Sequence, residues 1–137
     1  MMMAMIADRP VRPWVAPMPD LPGCPIKGAG PEMRRMADLP PSVRQALRHA
    51  IGDPVAEAGS PFNGSDIVSP GSPPRTRFLR AYRVRDLWLV WVEQGGIAHV
   101  FRLLAFRDGP HGASAPVPMP LGGRAKLCTA SRAIGER

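Results

Sequence analysis

A chain of 137 residues carrying 18 prolines, 14 glycines and a net charge of +7 fits one small domain, and proline and glycine at this density without a repeat mark segments that do not pack. Lys27 and Lys126 are the only lysines, so the positive charge is almost all arginine; planar guanidinium suits phosphate or carboxylate recognition, and the same bias follows from a GC-rich genome. Cys24 and Cys128 stand in opposite tails, with no CxxC pair and no metal-ligand spacing to His49, His99 or His111, which excludes a zinc site and leaves no cofactor signature. With disulfide stapling set aside as well, a reducing, cytoplasmic setting is expected.

The opening MMMAMIA is too short for the apolar region of a signal peptide and lacks its basic flank. No run of about 18 apolar residues offers a membrane span. Residues 1–37 include Pro10, Pro13, Pro17, Pro19, Pro22, Pro25 and Pro31, a density at which no hydrophobic period survives. This part reads as a disordered or polyproline-like tail, serving as a proline-rich ligand for an aromatic groove or lying upstream of the true start. Met33 and Met36 precede a natural-looking opening, MRRMADLPPSVRQAL, and Lys27-Gly28-Ala29 can be encoded as a bacterial ribosome-binding site. A peptide from residues 1–32 in the native protein would exclude such a start.

One helix is expected next. Ser42 and Gln45 fit a capping box, Pro41 keeps the preceding chain extended, and Gly52 with Pro54 stops the helix. Val43, Ala46, Leu47, Ala50 and Ile51 form one apolar stripe, with Arg44, Arg48 and His49 on the wet side. At about ten residues it needs a sheet to pack on. Residues 53–74 read as a connection, in which VAEAG forms at most a weak turn, Phe62, Ile67 and Val68 a short edge strand, and Asn63-Gly64-Ser65 a turn.

Three strands follow, from Arg77 to Arg107. Phe78, Tyr82 and Val84 alternate with Leu79, Ala81, Arg83 and Arg85, a half-buried pattern; LWLVWV is apolar on both faces; and Gly95-Gly96 predicts a two-residue hairpin. That hairpin pairs Val92 with His99, Trp91 with Val100, Leu89 with Arg102 and Trp88 with Leu103. One face then collects Trp88, Val90, Val92, Ile97, His99, Phe101 and Leu103, and the helix is assigned to it. The other collects Leu87, Leu89, Trp91, Glu93, Ala98, Val100, Arg102, Leu104 and Phe106. One helix covers one face, so the second implies a homodimer, a protein partner or cover from a tail. The expected architecture is α+β, one short helix on a three- to four-stranded antiparallel meander over residues 38–108, with disordered tails at 1–37 and 109–137. A domain of this size buries only about 60% of its unfolded surface, and a partner would help it.

The candidate binding residues are Arg80, Arg83, Arg85, Trp91, Arg102 and Arg107, a set that with Arg77 could gather on a twisted sheet and contact phosphates. The alternative is a solvated strand face with charge protecting an edge. Arg102 is expected diagonally from Trp91, at cation–π range. His99 is the one residue suited to acid–base catalysis, but the expected register puts Glu93 on the opposite face. The reading that follows is a small basic non-catalytic binding or assembly module acting through a sheet face, with nucleic acid among its possible partners and no membrane.

The order LPPSVRQAL, a Pro/Asn/Gly connection, RAYRVRDLWLVWV, a tight turn and HVFRLLAFR resembles RelE/ParE-type toxins over residues 39–107. The resemblance implies a helix-plus-antiparallel-sheet protein that cleaves ribosome-bound mRNA or acts on gyrase, with Arg83, Arg102 and Arg107 as the positions to test. The family's N-terminal strand is replaced here by proline-rich sequence, and only one helix is evident.

Overall fold

The apolar sequence LWLVWV becomes the central strand of a sheet because both its faces are covered by other parts of the chain. A computed structural model describes residues 14–15, 17–65, 67–96, 99–107 and 124–137. The expectations for residues 1–13, for Ile97 and Ala98 and for 108–123 lie outside these. In chain order the elements are β1 (Trp14–Val15), α1 (Pro41–Ile51), β2 (Val55–Ala56), β3 (Phe62–Asn63), β4 (Thr76–Val84), β5 (Leu87–Gln94), β6 (Val100–Arg107) and α2 (Ala125–Gly135). The fold is α+β. The main sheet has the order β2-β4-β5-β6, and β1 pairs with β3 separately. The three long strands are antiparallel to one another, but β2 runs parallel to β4, so the sheet is mixed and not wholly antiparallel as expected. The edge strand comes from Val55–Ala56, whereas Ile67 and Val68 are exposed.

α1 starts at Pro41, whose fixed φ and missing N–H suit the first helical position. Pro40 precedes it with no side-chain cap, so the Ser42–Gln45 capping box does not form. The helix ends as expected at Gly52, in the left-handed conformation with φ 82°. Val43 and Leu47 are fully buried against a cluster that includes Phe78, Trp88, Val90, Leu104 and Phe106. Two such side chains contribute about 3–6 kcal/mol of burial between them.

The register of β6 departs from expectation. Trp91 pairs with Leu103, Val92 with Arg102 and Trp88 with Phe106, three residues beyond the predicted partners. An odd slip exchanges the two faces of a strand. Phe101 and Leu103 therefore lie with Trp91, while Arg102, Leu104 and Phe106 join Trp88. The cause is Gly95. Its N–H donates to the Arg75 carbonyl at 2.8 Å, and a Cβ there would run into the backbone of Asn63 and Gly64. Gly95 thus serves close approach to a neighbouring segment, not a two-residue turn, and residues 95–99 together connect β5 to β6.

A second irregularity lies in β4, where the pairing shifts between Phe78 and Arg80. The bulge breaks the simple alternation: Phe78 and Ala81 join the α1 side, whereas Leu79, Tyr82 and Val84 face the other way.

That other face, left over in the sequence reading, is covered by both tails. Leu127 and Ile134 of α2 pack on it beside Cys24 and Ile26 of the proline-rich segment, over Leu89, Trp91, Leu103 and Ala105. Residues 17–36 and α2 thus pack as parts of the domain, and the tails expected at 1–37 and 109–137 do not extend over these residues. Ala29 and Met33 bridge to Val84 and Ala81, with backbone hydrogen bonds of 2.8–3.0 Å, so this segment also closes the free edge of β4. Cys24 and Cys128 form a disulfide, Cα to Cα 5.4 Å. The expectation of unbridged thiols fails because both tails settle on one sheet face, and with it goes the support for a reducing compartment.

Candidate anion-binding surface

The two ends of the sheet hold its arginines in different ways. At the end nearest the β5–β6 connection, Arg77 and Glu93 are paired across strands with their side chains 0% and 1% exposed. Arg77 Nε donates to Glu93 Oε1 at 2.8 Å; its other nitrogens donate to the carbonyls of Ser60 and Pro17, each at 2.9 Å, and the guanidinium lies 4.6 Å over the Phe62 ring. The second Glu93 oxygen meets His99 Nε2 at 2.9 Å. This corrects the expectation that Glu93 and His99 lie on opposite faces, and the slipped register is the reason. His99 is half exposed and lies between the rings of Phe62 and Phe101. The imidazole has an orienting carboxylate, but no hydroxyl or thiol nucleophile stands among its hydrogen-bond partners in the described residues. Arg102 is at this same end, donating to Gln94 Oε1 at 3.1 Å, and Gln94 in turn donates to Thr76.

In the middle of the face, Arg80 and Trp91 hold the proline-rich segment. Arg80 donates to the Pro22 carbonyl at 2.8 Å, pairs with Glu32 at 2.9 Å and lies 5.2 Å over the Trp91 ring. Arg80, not Arg102, is therefore the cation on Trp91. The Trp91 indole is buried and donates to Ser131 Oγ of α2 at 2.8 Å. The Tyr82 hydroxyl donates to Glu32 at 2.8 Å. Burial pushes the Glu32 carboxyl up, but the hydrogen bonds from Tyr82 and Arg34 and the charges of Arg80 and Arg34 outweigh it and hold it below its ordinary value. Burial and the bond to Glu32 raise the Tyr82 phenol. Of the sequence-predicted binding residues, Arg80 is thus bonded to the chain's own N-terminal segment and Trp91 to α2.

Arg83, Arg85 and Arg107 meet at the opposite end, around the β4–β5 turn. Val84 pairs with Leu87, so Arg85 and Asp86 alone make the turn. Arg85 has a φ of 59°, a conformation that costs an L-residue about 1–2 kcal/mol and that glycine usually supplies. Its own carbonyl accepts from Arg83 Nε at 2.9 Å, and its guanidinium reaches the carbonyls of Gly135 and Arg137 at 3.4 Å, cations being favoured at a helix C-terminus. Arg107 Nη1 donates to both oxygens of Asp86 at 3.0 and 3.1 Å, an exposed pair of little net strength. Close by, the Lys27 N–H donates to Glu136 at 2.9 Å, holding that exposed carboxyl below its usual range, and Arg132 approaches the same carboxylate at 3.5 Å. An open cleft of about 410 Å³ lies here between Thr129, Arg132, Ala133, Glu136 and Arg137.

Among the described residues, Arg83, Arg85, Arg107, Arg132, Arg137 and Lys27 thus lie near Asp86 and Glu136 at the turn end, whereas at the other end Arg77 is paired with Glu93 and Arg102 meets the neutral amide of Gln94. Of the six predicted binding residues, the fold gathers Arg83, Arg85 and Arg107 and separates them from Arg80, Trp91 and Arg102. Lys27 and Arg132 escape sequence reading, since each comes from a tail read as unstructured. No group of three or more His, Cys, Asp or Glu among the described residues could hold a metal ion, and no helix among them is long and apolar enough to cross a membrane. No family model, curated protein or solved structure matches this chain.

Proposed function

We propose that this chain is a small, basic, non-catalytic binding module whose partner is a nucleic acid, held through its phosphates at the β4–β5 turn. Arg85 carries the reading: it sits where a two-residue turn favours glycine, with Arg83 bonded to its carbonyl and Arg107 bonded to its neighbour Asp86. Strain kept at a chain reversal, where a glycine would relieve it, is a mark of function. The proposal moves the binding surface from a sheet face to the end of the sheet, because both faces are covered by the chain's own segments. The bridge between Cys24 and Cys128 favours a setting in which thiols stay oxidised.

Fluorescence anisotropy with a labelled single-stranded RNA, titrated at several salt concentrations, tests the reading. Each arginine that neutralises a phosphate contributes about 0.7 to the slope of log affinity against log salt. Replacing Arg83, Arg85 and Arg107 together by alanine should lower that slope by about 2 and leave the folded state intact. An unchanged slope would remove the turn end from consideration.

The rival reading, a RelE/ParE-like toxin, also uses Arg83 and Arg107. Growth arrest on induced expression, lost with Arg83→Ala and Arg107→Ala, would favour it. A host that grows normally would end it.

A further inference from the structure

We propose that the Cys24–Cys128 bridge is a reversible redox clasp on α2, and that its reduction uncovers the Trp91 face of the sheet. The two segments it joins are anchored unequally. The proline-rich segment is held without the bridge, by main-chain pairing of residues 29–33 with β4 and by Arg80 on the carbonyls of Leu21 and Pro22. α2 has eleven residues and no side-chain cap at its N-terminus, and helices of this length are marginal in water alone. Its hold on the rest of the chain rests on Leu127 and Ile134, on the Ser131–Trp91 hydrogen bond, on the Lys27 N–H bond to Glu136 and on the weak Arg85 contact at its C-terminus. Cys24 is buried and Cys128 only partly so, and an open cleft of about 530 Å³, bordered by Gly23, Cys24, Ile26, Glu32 and Tyr82, reaches the Cys24 side of the bridge.

The reaction is thiol–disulfide exchange with a dithiol reductant. A thiolate of the reductant attacks one sulfur of the bridge, forming a mixed disulfide and expelling the other cysteine as its thiolate. The reductant's second thiol then displaces the remaining cysteine, closing the reductant's own disulfide. Two electrons pass to the protein, and Cys24 and Cys128 end as thiols with the two protons the dithiol gives up. α2 is then free to leave, taking Leu127, Ser131 and Ile134 with it. Leu89, Trp91, Leu103 and Ala105 lose that cover, and the indole N–H of Trp91 turns to water.

Hydrogen exchange on the full chain, oxidised and then reduced with dithiothreitol, tests the clasp. Reduction should speed exchange of the α2 amides on the order of a hundredfold while β4 and β5 stay protected, and reoxidation should restore the slow state. The Cys24→Ser/Cys128→Ser variant should show the fast state without reductant. α2 amides equally protected in both states would overturn the proposal. So would loss of α2 and the sheet together, which would make the bridge a staple of the whole fold, and so would two free thiols in the air-oxidised chain.

Discussion

The two ends of the sheet use the same residue type for opposite purposes. At the β5–β6 end, Arg77 is fully buried, its donors taken by Glu93, Ser60 and Pro17, and it joins Pro17 of the proline-rich segment to the strands. At the β4–β5 end the three arginines are exposed: Arg83 lies 5.5 Å over the Trp88 ring, Arg85 reaches the carbonyls that end α2 and Arg107 pairs with Asp86. An arginine's position along a strand therefore decides whether it is buried in the fold or left exposed, and counting arginines does not distinguish the two.

The largest expected effect comes from breaking the buried pair. Arg77→Met leaves Glu93 buried with His99 as its remaining side-chain partner among the described residues and should cost about 3–5 kcal/mol in urea unfolding, whereas Arg77→Met combined with Glu93→Leu should recover most of it. Removing the bridge in the Cys24→Ser/Cys128→Ser variant comes next. Its two cysteines are 104 residues apart, and closing a loop of about 100 residues is worth up to about 4.7 kcal/mol in the chain-entropy model. The two buried tryptophans give a smaller contrast. Trp91→Phe leaves the buried Ser131 hydroxyl unpaired, a loss of about 1–3 kcal/mol beyond the lost area. Trp88→Phe should cost less, since the Trp88 indole N–H has no hydrogen-bond partner among the described residues.

At the turn end, changes should touch binding more than stability. Arg85→Gly should raise stability by up to about 1 kcal/mol by relieving the positive φ while weakening RNA binding. A variant that gains stability and keeps full affinity would detach the strained turn from function. The smallest effect is one of pH. Glu32 is held below its ordinary value of 4.5, so its contribution to stability is present above that pH and is lost as pH falls through the depressed value. Glu32→Gln should flatten that acid limb of the stability curve.

The helix and the three strands were legible in the sequence because their signals are local: Pro41 and Gly52 bracket one apolar stripe, and long apolar runs are bounded by turn residues. What was not legible depends on contacts between distant residues. Gly95-Gly96 is a sound hairpin signal, and it misleads here because the backbone of Asn63 and Gly64 presses against Gly95 from outside the hairpin. The resulting slip hid the Glu93–His99 contact. The bulge at Phe78–Arg80 likewise leaves no mark on the pattern of residues. α2 buries Leu127, Ser131 and Ile134 against the sheet, with Cys128 and Ala130 partly buried beside them, a stripe too small in apolar bulk to stand out from a Gly- and Ala-rich tail. The bridge was missed with it, because a separation of 104 residues carries no information about proximity. Arg83, Arg85 and Arg107 of the candidate site were named from the strands, and the contributions of Lys27 and Arg132 waited on the tails.

The bridge between Cys24 and Cys128 also changes the topology of the molecule. It turns the chain from residue 24 to residue 128 into a covalent macrocycle that contains α1 and the whole main sheet. A single proteolytic cut anywhere in that ring leaves one molecule, heavier only by the water of hydrolysis, and fragments separate only when a reductant is added. Electrophoresis of nicked protein with and without reductant therefore reads the state of the clasp directly, whether or not any ligand is present.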